Sequence, residues 1–338
     1  MELSIAIVLF IIGLFLIIKG GDWFVDSASW IAHAAKIPTF VVGATIVSFA
    51  TTLPELTVSI MAAIAGKNEL TIGNATGTII ANIGLVLGIA LTFMTIKTPR
   101  KDYWLQCLLL IVSALVLWLG CLGNTLELWI SITLLLIYVS FFVINLVQGR
   151  HKTIENEDQK TTKKETQKKS KKAVTVMFVV FFFILGAVCI VLGSNFLIYG
   201  GSTIADSLGI PEHIVAITMI AIGTSLPELV TTISAIRKKE GGLSIGNIIG
   251  ATIINLTLIL STCSLISNNH LVIPQQVVTI DFPFCLAFSL IAITPILFKQ
   301  RTYRWQGILL LLSYFTYLTV SMTKINTILK MTINANKK

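Results

Sequence analysis

An all-α, polytopic membrane fold of about ten transmembrane helices, arranged as two inverted-topology five-helix repeats, is predicted by three observations. The first is composition: of 338 residues, 55% are hydrophobic and 12% charged, with mean hydropathy +0.87, whereas ordinary soluble domains carry about 25% charge. The second is that apolar runs close to the ~20 residues needed to cross a hydrocarbon core of ~30 Å recur along the chain. They fall at 3–18, 39–65, 70–96, 104–121, 126–147, 174–198, 211–236, 243–266, 275–298 and 305–323. The third is an internal repeat at a constant offset of 173 residues: comparing 43–88 with 216–261 without gaps, 17 of 46 positions are identical. Each half holds five spans, an odd number, so a shared fold must enter the membrane from opposite faces in the two halves.

Taken in order, the run 3–18 lacks a preceding basic region and a following small-residue cleavage site, and is expected to be a retained helix rather than a signal peptide. Residues 1–148 form the first repeat. Residues 149–173, GRHKTIENEDQKTTKKETQKKSKKA, form a basic linker whose Lys, Glu, Gln and Thr content cannot build a core. It is expected to be a structureless tether; binding to acidic lipid or a regulator is the alternative. Residues 174–338 form the second repeat. The positive charge, +9 overall, sits in the loops between spans rather than on one folded face, so topology explains it and nucleic acid does not. With the N-terminus outside, 20 of the 25 Lys and Arg residues fall on the cytoplasmic side, which places the linker inside. A bacterial-type inner (cytoplasmic) membrane and a monomer are expected. The five cysteines, Cys107, Cys121, Cys189, Cys263 and Cys285, are scattered singly in apolar runs without metal or disulfide spacing, as small buried hydrophobes are.

The repeated segments carry the chemistry. "ATTLPEL" at 50–56 pairs with "GTSLPEL" at 223–229, and "LTIGNATGTIIAN" at 70–82 with "LSIGNIIGATIIN" at 243–255. Proline lacks an N–H and clashes with the carbonyl four residues back, here Ala50 for Pro54 and Gly223 for Pro227, so each helix is expected to loosen there. Freed carbonyls at membrane depth persist only in protein or along a wet cavity. Glu55 lies twelve residues before Lys67, which at ~1.5 Å per residue puts it roughly 18 Å below that boundary, near mid-membrane. Among 16 acidic residues only Glu55 and Glu228 lie deep in apolar spans; Asp281 is assigned to a span end, and no Lys, Arg or His lies at matching depth.

A mid-membrane carboxylate without a partner costs at least a few kcal/mol. Two of them, with hydroxyls at Thr51, Thr52, Thr224 and Ser225 and freed carbonyls, make an all-oxygen site suited to hard cations such as Ca²⁺, Na⁺ or Mg²⁺. Two charges match one divalent ion, two monovalent ions or two protons. Gly73 and Gly77, like Gly246 and Gly250, form small-xxx-small faces for close helix approach. Asn74, Thr78 and Asn82 share one stripe at i, i+4, i+8 that turns toward the glutamates; the second half keeps Asn247 and Asn255 but has Ala251 in the middle. Bonds to neighbouring helices are the alternative for any one of these polar residues. A channel is disfavoured by the two-fold symmetry and missing filter repeats, and an intramembrane hydrolase by the absence of a buried base or an HExxH motif.

At "FATTLPEL" and "IGTSLPEL", each followed by a "GN" and G-x-x-x-x-N segment, the chain resembles the sodium/calcium exchanger family of the cation/calcium exchanger superfamily, in its short-linker prokaryotic form. The resemblance implies a non-enzymatic antiporter without a cofactor, exchanging Ca²⁺ for Na⁺ by alternating access, with the two repeat glutamates, Glu55 and Glu228, as ligands. It further implies ligand roles for Thr51, Thr52, Thr224 and Ser225, for the carbonyls of Ser48 and Ala221, and for Thr78, Asn82 and Asn255. Some relatives have aspartate where this chain has Asn255 and serine where it has Ala251. One Na⁺ subsite therefore lacks a hydroxyl and a charge, which also suits a proton in place of sodium and keeps a Ca²⁺/H⁺ antiporter as the alternative.

Overall fold

The computed structural model describes residues 3–97, 100–158, 169–207, 225–267 and 271–335. The first repeat is built from α1 (Leu3–Ala35), α2 (Thr39–Val42), a wide π turn (Gly43–Val47), α3 (Ser48–Ile64), α4 (Asn68–Ile80), a second π turn (Ala81–Leu87), α5 (Gly88–Phe93), α6 (Arg100–Gly120) and α7 (Leu128–Asp158). The second is built from α8 (Lys169–Ser207), α9 (Leu226–Arg237), α10 (Gly241–Ile254), a π turn (Asn255–Ile259), α11 (Leu260–Ile266), a π turn (Val277–Asp281), α12 (Phe282–Lys299) and α13 (Arg304–Ala335). Eight helical runs among the described residues are long and apolar enough to span a bilayer. Of the predicted span 211–236, residues 211–224 lie outside the described residues, and the span 305–323 falls within α13.

Four helices outrun their predicted spans, α13 among them, which continues to Ala335. Hydropathy drops at Lys19, but no proline follows until Pro38 and Gly20 and Gly21 are held by close packing, so α1 continues to Ala35 and reverses through Lys36 in the left-handed region, φ 57°. Helix also covers both ends of the stretch predicted to be a structureless linker, through Asp158 and again from Lys169. Lys, Glu and Gln are good helix formers, and polarity alone does not stop a helix already nucleated in the membrane.

The inversion is visible in backbone contacts. A Cβ on Gly13 would meet the carbonyl oxygen of Gly193 at 2.8 Å, and one on Gly20 the carbonyl oxygen of Gly186 at 2.9 Å. Contacts 13 with 193 and 20 with 186 mean that α1 and α8 run antiparallel, and the 173-residue offset maps each contact onto the other. Helix ends repeat as well: Lys67 N donates to Ala62 O at 2.9 Å around Gly66, φ 70°, and Glu240 N donates to Ala235 O at 2.8 Å around Lys239, φ 60°. These are matching left-handed helix terminations in the two halves.

Loops expected on one side meet there. Strand β1 (Thr125–Leu126) pairs antiparallel with β2 (Leu271–Val272), while Lys97 bridges Arg301 at the other end of the bundle. The two central runs are the counterparts of each other: 72% of the most apolar window in Asn68–Phe93 and 83% in Gly241–Ile266 are buried, against 22% in α1 and α7. The repeated G-N segments therefore form the protein centre, and α1, α7 and α8 carry much of the lipid-facing surface.

Close packing at that centre depends on the small faces of α10. A Cβ on Gly246 would run into the carbonyl oxygen of Phe40, and one on Gly250 would lie 2.5 Å from Ser48 Oγ and 2.7 Å from Ala44 O. Gly73 and Gly77, predicted to act likewise, have no atom within 4 Å of such a Cβ among the described residues. Their repeat-related partners would be residues 213–221, which lie outside that set.

Candidate ion-binding site

Pro54 was expected to loosen its helix from Ala50 onward. Instead α3 runs unbroken from Ser48 to Ile64, and the irregular turn lies upstream at Gly43–Val47. Membrane helices tolerate an interior proline where the surrounding protein shelters the freed carbonyl. Thr51 Oγ1 lies 3.2 Å and Thr52 Oγ1 2.6 Å from Ser48 O, in the turn that precedes the proline. In the second repeat α9 begins at Leu226 with Ser225 as its N-cap residue and Pro227 in the first turn, where a missing N–H costs no hydrogen bond. Glu228 thus sits in the first turn of α9, where the helix dipole favours a negative charge. Thr224 and Ala221 lie outside the described residues.

The two glutamates come together. Both are fully buried, the carboxyl groups interact with one another, and the Glu228 carboxyl also faces Thr51 and Thr52. Even so, none of the four carboxylate oxygens has a hydrogen-bond partner of good geometry among the described residues. Buried polar atoms are nearly always satisfied, so four orphaned acceptors at one place call for a positively charged or proton-bearing species. No other His, Cys, Asp or Glu joins them in a cluster of three among the described residues.

The other candidates add polar atoms in the same state. Ser225 Oγ, both amide atoms of Asn82 and the Oδ1 of Asn255 are buried without a partner among the described residues. Asn255 Nδ2 donates to Ala251 O at 2.9 Å, which leaves its oxygen free. The two asparagines occupy equivalent places, at the start of the π turns Ala81–Leu87 and Asn255–Ile259. These turns pack crosswise: the first touches α9, which carries Glu228, and the second touches α3, which carries Glu55. Thr78 is buried on α4. The Ser48 carbonyl, expected to be free, accepts the Thr51 and Thr52 hydroxyls.

Several polar residues around the site do not follow from the motif alone. Asn74 sits behind the glutamate, with Nδ2 donating to Glu55 O at 3.2 Å and to Ser59 Oγ at 2.9 Å. Ser59 and Thr232 occupy the same repeat position, one turn beyond each glutamate, and that i+4 spacing is the signal that locates them. A third acidic side chain is also buried. Asp281, assigned to a span end, lies in the π turn Val277–Asp281 at 7% exposure and accepts a hydrogen bond from Tyr317 Oη at 3.1 Å. A hydroxyl one helix away makes its burial tolerable, a contact that spacing along one helix does not reveal.

Comparison with known proteins places the chain in a family. The family model for sodium/calcium exchanger protein matches residues 5–147 and 178–323, one segment in each repeat. Sodium/calcium exchanger MaX1 of Methanosarcina acetivorans is 29% identical over 94% of this chain and 99% of its own length. Inner membrane protein YrbG of Escherichia coli is 31% identical over 79% of this chain and 82% of its own. Among solved structures, the sodium-calcium exchanger NCX_Mj soaked with Na⁺ and Sr²⁺ superposes with a TM-score of 0.80 at 26% identity, covering 94% of this chain and 99% of that one. The matches span both halves and the whole ten-helix architecture, and the chain belongs to the sodium/calcium exchanger family.

Proposed function

We propose that this chain is a secondary antiporter that moves Ca²⁺ out of the cell in exchange for Na⁺, by alternating access around an all-oxygen site between Glu55 and Glu228. The observation that carries it is the pair of fully buried, mutually facing carboxylates with no hydrogen-bond partner among the described residues. One Ca²⁺ or two Na⁺ neutralise the pair equally well, so each ion displaces the other, and an empty site with two bare charges is too costly to cross the membrane interior. That penalty is the physical origin of obligatory exchange. The protein acts as a monomer in the cytoplasmic membrane, with its N-terminus outside and the 149–173 linker inside.

The test is uptake of radioactive calcium by proteoliposomes loaded with sodium. Uptake driven by the sodium gradient is expected. Uptake driven by a pH gradient and indifferent to sodium would overturn it in favour of Ca²⁺/H⁺ exchange, which the neutral Asn255 and the hydroxyl-free Ala251 would suit.

Two substitutions bear on the same assay. Asn255→Asp adds a charge at a buried position whose oxygen has no partner among the described residues, and is expected to lower the half-saturating sodium or calcium concentration; an unchanged ion titration would show that residue 255 does not touch the ions. The five cysteines are buried and free and none lies among the oxygen ligands, so alanine at all five is expected to leave sodium-driven uptake within about two-fold of the parent, a small-volume change of the tolerated kind.

A further inference from the structure

Asn247 lies on α10 in the second repeat, yet its side chain serves the first. The one hydrogen of the Thr51 hydroxyl has two acceptors in reach, Ser48 O and Asn247 Oδ1, each at 3.2 Å, while Asn247 Nδ2 donates to Thr231 Oγ1 at 3.0 Å. Thr231 in turn donates to Pro227 O at 2.9 Å, with Glu228 O at 3.0 Å as second acceptor. All three side chains are buried. A directed chain of donations thus runs from the hydroxyl that faces the Glu228 carboxyl, through Asn247 and Thr231, to the backbone beside Glu228. A cation ligated by a hydroxyl needs the oxygen lone pair, so the hydroxyl hydrogen must point elsewhere. The Ser48 carbonyl already takes the Thr52 hydrogen at 2.6 Å, and Thr51 stands 3.2 Å from it; Asn247 supplies the second acceptor.

The repeat-related residue does a different job. Asn74 donates to Glu55 O and Ser59 Oγ, and the position matching Thr231 is Val58, so the relay through a threonine belongs to one half only.

We infer that Asn247 is a positioning residue: it holds the Thr51 hydroxyl with its oxygen turned to the ion and locks that orientation to the Glu228 helix of the opposite repeat through Thr231. The inference rests on the ion-exchange function proposed above. Thr51 therefore binds ions as part of a unit spanning both repeats, and loosening the relay weakens ion binding before it slows turnover.

The experiment measures sodium-driven calcium uptake in proteoliposomes as a function of calcium concentration for the parent, Asn247→Ala, Thr231→Val and Thr231→Ser. Losing an outer-shell partner weakens metal binding about 10- to 100-fold, so Asn247→Ala is expected to raise the half-saturating calcium concentration about tenfold, with the maximal rate within about two-fold. Thr231→Val shifts it in the same direction, and Thr231→Ser, which keeps the hydroxyl, restores the parental value. A fall in maximal rate at unchanged half-saturation, or no change at all, overturns the positioning role. Should Asn247→Ala not fold, the two Thr231 variants decide: equal half-saturation in Val and Ser overturns it. Absence of sodium-driven uptake in the parent overturns the exchange function itself and this inference with it, an outcome distinct from any pattern among the variants.

Discussion

Glu228→Gln, and separately Glu55→Gln, are expected to abolish sodium-driven calcium uptake, to the level of protein-free vesicles, while leaving a folded protein. Glutamine keeps the shape of glutamate and removes its charge. Both carboxylates are fully buried, face each other and lack hydrogen-bond partners among the described residues, so they contribute little to the fold in the absence of ions. A buried charge without a partner destabilises, and its neutral isostere removes that penalty. The variants are therefore expected to melt at or above the parental temperature in ion-free buffer, and to lose the stabilisation that calcium gives the parent. That combination separates a ligand from a structural residue. A variant retaining a tenth or more of parental uptake would show that one carboxylate suffices, and with it that the pair is not the site.

Gly246→Val is expected to cost several-fold in folded yield and to eliminate transport. A Cβ at residue 246 runs into the carbonyl oxygen of Phe40 and lies 2.9 Å from Ala44 N. Both are backbone atoms, so no side chain can move aside, and α10 must retreat from α2 and the adjoining π turn. Overpacking a well-filled interface costs about 1–3 kcal/mol. Here the displacement is passed directly to Asn247, one residue on, and through it to Thr51. Gly123→Ala, whose Cβ meets only Thr125 Oγ1 at 3.9 Å, is the matched control and is expected to retain yield and transport. Thermal stability by size-exclusion survival checks both; a Gly246→Val protein as stable as the control would contradict the backbone packing described for α10.

The features that sequence reveals best are those set by one helix against solvent or lipid. Span positions follow from hydropathy, and inversion follows from an odd number of spans per repeat; the antiparallel Gly13 and Gly193 contact expresses it directly. The pairing of Glu55 with Glu228 was legible because a membrane interior leaves a repeated, unpaired carboxylate few alternatives. The π turns were not. Widening at Gly43–Val47 or Ala81–Leu87 leaves no mark in the hydropathy pattern, and such turns gather at functional sites. Pro54 does not open its helix, because a membrane helix packed in protein tolerates one missing hydrogen bond, and α3 runs on through it. Asp281 and Asn247 were placed by helices far away in sequence, Tyr317 for the one and Thr51 for the other. Spacing along a single helix carries no information about such partners.

The most direct measurement is anomalous X-ray scattering from crystals soaked in Sr²⁺ as a calcium substitute, with the soak repeated at high sodium. One strontium peak is expected between the carboxylates of Glu55 and Glu228, with Thr51 oxygen among its ligands, and sodium is expected to erase it. A peak that binds elsewhere, or that persists unchanged in Glu228→Gln crystals, would contradict a shared site built by the two inverted halves.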